Sequence, residues 1–296
     1  MRETASCGGA GQRTDVRSIL AFLSATTILS ALLVVNVFQI SSLIVRPFSR
    51  RLFRDFNREC AHLWWRMVVF WAETLHQTRV VITGDSLPHG ENALIIANHQ
   101  DMPDAVVLMC LASRHGGLAH LKWFAKDVIK YVPGVGWGLL FLDCLFVKRN
   151  WDRDQGMITA TFQTYLREQI PLWLVTFPEG TRITPKKLEL AQTFAATNGH
   201  PRPERVLIPR TRGFTASVLG LGHHLQAVYD VTIAYPGPAP SMWGLFKQWK
   251  SSFHIHVRRY PLGVLPRDRE GLSAWIVDRF QEKDQRLQSF DQTHSL

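Results

Sequence analysis

Residues 19–45 contain no charged side chain and run almost unbroken through Ile, Leu, Ala, Val and Phe. At about 1.5 Å per residue, a helix of this length crosses the roughly 30 Å hydrocarbon core of a bilayer. A chain carrying such a segment must place it in lipid or bury it completely, and the expectation is a transmembrane helix. A secretory signal peptide is the alternative, but the apolar region is too long for one and no small-x-small cleavage site follows it. Arg46, Arg50, Arg51, Arg54 and Arg58 outweigh the basic residues that precede the segment. Positive charge stays on the cytoplasmic side, so a single-pass integral protein of the endoplasmic reticulum or bacterial inner membrane is expected, with the rest of the chain in the cytoplasm.

The formal charge of +10 suits nucleic acid or anionic lipid, and no nucleic-acid signature accompanies it. Cys7, Cys60, Cys110 and Cys144 form no Cys-x-x-Cys pair, so neither a zinc site nor a disulfide framework is indicated. Past the apolar segment, Phe53, Phe56, Cys60, Leu63, Met67 and Trp71 recur at helical spacing with arginines opposite. An amphipathic helix is expected there, either lying in the membrane interface or packed on a core.

Two later stretches carry the chemistry. The apolar run Ala93-Leu94-Ile95-Ile96-Ala97 reads as a buried strand and ends in Asn98-His99-Gln100-Asp101-Met102-Pro103-Asp104, with Pro103 suited to a helix start. A histidine held through one ring nitrogen by a carboxylate has its other nitrogen free to take a proton from a hydroxyl. An ordinary helix cap explains Asp101 or Asp104 equally well. The second run, Leu172-Trp173-Leu174-Val175-Thr176-Phe177, leads into Pro178-Glu179-Gly180-Thr181-Arg182. In an open α/β sheet, loops at the carboxyl ends of neighbouring strands share one crevice, which lets His99 and this turn face the same substrate.

Asn-His-x4-Asp followed by Phe-Pro-Glu-Gly-Thr-Arg resembles the first and third signature blocks of the glycerolipid acyltransferases. Phe146-Val147-Lys148-Arg149 resembles the second block and Val206-Leu207-Ile208-Pro209 the fourth. Val35-Asn36-x2-Gln39 and Arg46-Pro47-Phe48-Ser49 look like the membrane-bound lysophosphatidate and lysocardiolipin branch. The resemblance implies a mixed β-sheet flanked by helices, an α/β fold. It also implies His99 as base and Asp104 as its orienter, Glu179, Gly180 and Thr181 in the acceptor site, Arg149 and Arg182 on the acceptor phosphate, and Pro209 in the pocket wall. The implied reaction moves a fatty acyl group from acyl-CoA or acyl carrier protein to the free hydroxyl of a lysophospholipid, foremost 1-acylglycerol-3-phosphate to give phosphatidate, with another lysophospholipid such as lysocardiolipin as the alternative acceptor. These thioesters are co-substrates, and no cofactor and no metal are implied. A lipid-binding membrane protein that keeps the fold without turnover is the alternative of a different class, and the intact His99, Asp104, Glu179 and Arg182 argue against it.

The expected organisation is a tail over residues 1–18, an anchor over 19–45, the amphipathic helix over 46–76, an acyltransferase domain over 77–290 and a tail over 291–296. Strands are also expected near residues 80–82, 121–125, 145–147, 205–208, 225–234 and 253–257, with helices over 105–112, 154–169, 185–197 and 271–288. One competing motif is Gly84-Asp85-Ser86-Leu87, similar to the nucleophile block of a lipase family, with Asp291 and His294 at the spacing that family uses. Unsupported short motifs of this kind are weak signals, and polar chain ends hold catalytic groups poorly.

Overall fold

A computed structural model describes residues 9–293 and Leu296. The chain starts in a long helix, α1 (Gly9–Ser41), which a short 3-10 turn extends, so helix replaces most of the expected tail over 1–18. Residues 1–8 lie outside the described residues. Across α1 and this turn, the segment Val16–Ile44 is long and apolar enough to cross a membrane, and only 11% of its most apolar window is buried. The inward stripe is Ile28, Leu32, Val35 and Gln39, at the three- and four-residue steps of one helix face. Phe22, Leu29, Val34, Val37 and Phe38 are left exposed.

Helix α2 (Arg50–Phe70) is capped by Ser49, whose hydroxyl accepts from the Leu52 N–H, and continues into a π-helical turn at Trp71–Leu75. Phe53, Asn57, Ala61, Trp65 and Val68 face inward, whereas Leu52, Phe56, Leu63 and Phe70 stay in the open. The apolar stripe read from the sequence is therefore divided between the core and the outer surface. Phe53 and Trp71 are buried; Phe56 and Leu63 are not.

Seven strands build one mixed sheet: β1 (Arg79–Gly84), β2 (Ala93–Ala97), β3 (Leu121–Lys126), β4 (Leu145–Val147), β5 (Trp173–Thr176), β6 (Ala227–Ala234) and β7 (Ser252–Pro261). Their order is β1-β7-β6-β2-β5-β3-β4. The run β6, β2, β5, β3, β4 is parallel, while β7 lies antiparallel to β6 and carries β1 parallel to itself. All five residues of β2 are buried, and its two faces feed two cores. Ala93, Ile95 and Ala97 pack towards α2 and α3 (Asp104–Arg114), and Leu94 and Ile96 pack on the other side against α5 (Trp151–Arg167), α7 (Thr211–Leu221) and α9 (Arg269–Thr293). Side chains alternate along a strand, so a strand covered on both faces must be apolar throughout.

Behind the end of β2, fully buried Lys283 of α9 forms an ion pair with Asp230 and donates to the carbonyls of Val231 and Ile96, at 2.8 and 3.4 Å. The lysine ties α9 to two central strands. Two expectations from the sequence fail here. Helix α9 continues to Thr293 with Phe290 buried beneath it, so residues 291–293 are helix and not tail. Residues 205–208 form no strand either; the N–H groups of Glu204, Arg205 and Val206 all donate to the Asp284 carboxylate of α9. A side chain does there what a sheet neighbour would otherwise do.

Candidate active site

Because β2, β3, β4, β5 and β6 run parallel, their carboxyl ends meet along one edge of the sheet. Asn98 fixes the end of β2: its amide donates to the Ile233 carbonyl at 2.9 Å and accepts from the Ile233 N–H at 2.8 Å. His99 follows, its ring stacked on Phe177 at 4.1 Å between centroids. His99 Nδ1 lies 2.8 Å from Asp104 Oδ2 at the first turn of α3. That same oxygen accepts the N–H groups of Gln100 and Asp101 at 2.7 and 3.1 Å. The other oxygen accepts the Tyr235 hydroxyl at 2.5 Å. A carboxylate accepting on every side requires the imidazole proton to sit on Nδ1, which leaves the Nε2 lone pair free.

Asp104 is fully buried and His99 partly exposed, so the pair presents one basic nitrogen outward from a dry support. Nothing local in the sequence marks Tyr235, which arrives from the end of β6. Tyr235→Phe removes a hydrogen bond to a buried charged acceptor, and stability is expected to fall by about 1.5–3 kcal/mol with a severalfold loss of kcat. Urea denaturation beside steady-state kinetics checks this; unchanged values in both would leave Tyr235 without a supporting role.

Glu179 is buried in the turn after β5. Oε1 accepts the His99 N–H at 2.9 Å and Oε2 the Leu207 N–H at 3.2 Å, so one carboxyl pins both loops. Burial pushes its pKa up to about 8, opposed by those two hydrogen bonds, while the Asp104 charge raises it further and Lys283 pulls it back. From the ordinary carboxyl value near 4.5 up to about 8, the unfolded chain has lost a proton that the folded chain keeps. The contribution of Glu179 to stability is therefore full at acid pH and falls as pH rises through this window. Thermal melts of wild type and Glu179→Gln should diverge between pH 5 and about 8, with wild type losing ground relative to the variant; parallel curves would contradict the assignment.

Gly180 has φ +70°, and a Cβ there would meet Arg210 Cδ and Nε at 3.2 Å. The Arg210 side chain lies directly over the turn, and the backbone N–H of Arg210 donates to the Pro178 carbonyl at 2.8 Å. Arg149 also has positive φ, 62°, rare for a residue with a side chain. Asp154 holds it there by accepting the N–H groups of Lys148 and Asn150, on either side, at 2.9 and 3.1 Å. Arg149 and Arg210 line one cavity with His99, and neither has an ion-pair partner among the described residues. Desolvation and the neighbouring Arg210 guanidinium lower the Arg149 pKa.

Arg182, Thr181 and Pro209 do not line that cavity. Half-exposed Arg182 donates to Asp101 at 2.6 Å, Thr181 accepts from Lys187 at 2.6 Å, and Pro209 is buried. Arg210 was missed because it stands one position beyond the matched fourth block. The cavity holds about 710 Å³ and extends from His99 and Met102 past Trp64 and Trp71 to Leu32 of α1. Phe246, in the short helix α8 (Met242–Lys247), also lines it.

Ser86 of the competing lipase-like motif follows β1, which runs antiparallel to β2 through β7 and β6. It therefore stands at the opposite edge of the sheet from His99. Asp291 is paired with Arg205, and His294 lies outside the described residues.

An acyltransferase family model matches residues 79–235, and an acyltransferase C-terminus model matches residues 244–296. The chain belongs to the acyltransferase family. This acyltransferase is 34% identical over 259 residues to 1-acyl-sn-glycerol-3-phosphate acyltransferase 2 of Brassica oleracea, covering 85% of this chain and 66% of the relative. It is 34% identical over 265 residues to 1-acyl-sn-glycerol-3-phosphate acyltransferase 3 of Arabidopsis thaliana, covering 87% and 70%. Lysocardiolipin acyltransferase 1 of Mus musculus is 37% identical over 233 residues, covering 77% and 62%. The matches span about two thirds of the length of these relatives. The crystal structure of PlsC, the 1-acyl-sn-glycerophosphate acyltransferase from Thermotoga maritima, shares the acyltransferase's fold with a TM-score of 0.60 over 94% of this chain and 97% of that one, at 17% identity.

Proposed function

We propose that this acyltransferase moves a fatty acyl group from acyl-CoA, or from acyl carrier protein, to the free hydroxyl of 1-acylglycerol-3-phosphate, giving phosphatidate. The observation that carries this reading is the pair of guanidinium groups, Arg149 and Arg210, without an ion-pair partner among the described residues and sharing a largely apolar cavity with the free nitrogen of His99. Two neighbouring like charges repel, and a phosphate between them relieves that repulsion through charge-assisted hydrogen bonds. The apolar length of the cavity suits an alkyl chain.

In this mechanism His99 Nε2 takes the acceptor hydroxyl proton as the oxygen attacks the thioester carbon. The tetrahedral intermediate then expels the thiolate, which receives that proton from the imidazolium. Asp104 keeps the ring oriented and stabilises its cation, as carboxylates do in hydrolytic triads.

The plant relatives named for 1-acyl-sn-glycerol-3-phosphate support this acceptor, and the relatives named for lysocardiolipin support a second one. Both present phosphate oxygens to an arginine pair. Assaying the purified membrane protein with acyl-CoA against a panel of lysolipids separates them. Highest kcat/KM on lysophosphatidate is expected; preference for lysocardiolipin would move the acceptor assignment, and activity on neither would remove it.

The exposed apolar faces of α1 and α2 support attachment to a membrane, with α1 as the single anchor and the arginines after it on the cytoplasmic side.

A further inference from the structure

Helix α1 turns two amides inward, three positions apart. Asn36 is 1% exposed and Gln39 is 0% exposed. Asn36 Nδ2 donates to Gln39 Oε1 at 3.0 Å, which leaves Asn36 Oδ1 as an acceptor and Gln39 Nε2 as a donor with no partner among the described residues. Helix α4 (Val135–Phe141) passes them at Gly138, where a Cβ would stand 3.7 Å from both amides.

Polar contacts that merely join helices are supplied nearby by Asn57, which donates to Ser42 Oγ at 2.8 Å and to the Phe53 carbonyl at 2.7 Å. Gln39 differs because it lines the same cavity as His99, among Leu32, Val35 and Leu139. Leaving an amide donor buried without an acceptor is unfavourable. An occupant carrying an acceptor atom within an alkyl chain removes that cost. The donor's thioester carbonyl has to sit at His99, where the new bond forms. A lysophospholipid brings a second carbonyl, in the ester of the chain it already bears.

We propose that Gln39, oriented by Asn36, donates a hydrogen bond to the ester carbonyl of the acceptor's resident acyl chain, forming a subsite that distinguishes ester-linked from ether-linked lysophospholipids. The proposal rests on the lysophospholipid reading above. An ether oxygen is a weaker acceptor placed elsewhere along the chain, so a 1-O-alkyl acceptor leaves the amide unpaired.

The test uses the full chain in lipid nanodiscs with one acyl-CoA and two acceptors of equal chain length, 1-acyl and 1-O-alkyl lysophosphatidate. Wild type is expected to favour the ester by about tenfold in kcat/KM, corresponding to about 1.4 kcal/mol. In Gln39→Leu the ester-to-ether ratio should fall to within about twofold of one. Equal rates on both acceptors in wild type would overturn the subsite even if the variant fails to fold. An undiminished ratio in Gln39→Leu would do the same. No product from either acceptor with wild type would instead remove the lysophosphatidate reading, and the subsite with it.

Discussion

His99→Ala is expected to lower kcat by about 10³-fold or more, with the protein still in the membrane fraction and still folded. The imidazole is only partly buried and stacks on Phe177, so its removal leaves neither a large cavity nor a stranded strand end. The loss is chemical. Without Nε2 the attacking hydroxyl keeps its proton, and attack on the thioester must proceed through a poor nucleophile. Asp104→Asn should come close to the same defect by another route. An asparagine cannot accept on every side as Asp104 does, and an amide NH2 facing Nδ1 favours the tautomer with the proton on Nε2. Rapid-quench turnover measurements on both variants check this. Near wild-type turnover in His99→Ala would remove the base from the mechanism.

The second large effect belongs to the arginine pair. A guanidinium makes two parallel hydrogen bonds to a phosphate that an ammonium cannot copy, so lysine is a poor replacement at such a position. Arg210→Lys and Arg149→Lys are each expected to lower kcat/KM for lysophosphatidate by about tenfold or more, roughly 1.4 kcal/mol or more of transition-state binding. A neutral monoacylglycerol of the same chain should lose much less. The sequence pointed to Arg182 for this role, but its guanidinium is already engaged by Asp101 and half exposed. Arg182→Lys should therefore affect both acceptors alike and mildly. A selective loss on lysophosphatidate in Arg182→Lys, with none in Arg210→Lys, would return the phosphate to the Arg182 side of the turn.

The central strands were legible because a strand covered on both faces must be continuously apolar, and β2 and β5 are. His99, Asp104 and Glu179 were legible because they stand at the ends of such strands, where local sequence order already brings them close. Tyr235 and Arg210 were not, since each reaches the site only after the sheet has formed. Tyr235 lies 131 positions from the carboxylate it touches. Residues 205–208 look like a strand because Val206, Leu207 and Ile208 are apolar, and only distant carboxylates, Asp284 for Arg205 and Val206 and Glu179 for Leu207, show where their N–H groups go. The end of α9 was misread for a similar reason: its last residues are polar, and the burial of Phe290 that holds the helix down is a tertiary fact. The outward half of α2 has the same spacing as its inward half, so periodicity alone did not divide them.

The most direct test follows both products of one reaction. Purified full-length protein in nanodiscs is given labelled acyl-CoA and lysophosphatidate, and free CoA thiol and labelled phosphatidate are measured together over time. The account predicts equal amounts of the two, each appearing only when the acceptor is present. Thiol released without acceptor, or in excess of phosphatidate, would mean that water takes the acyl group and that the chain does not transfer it as described.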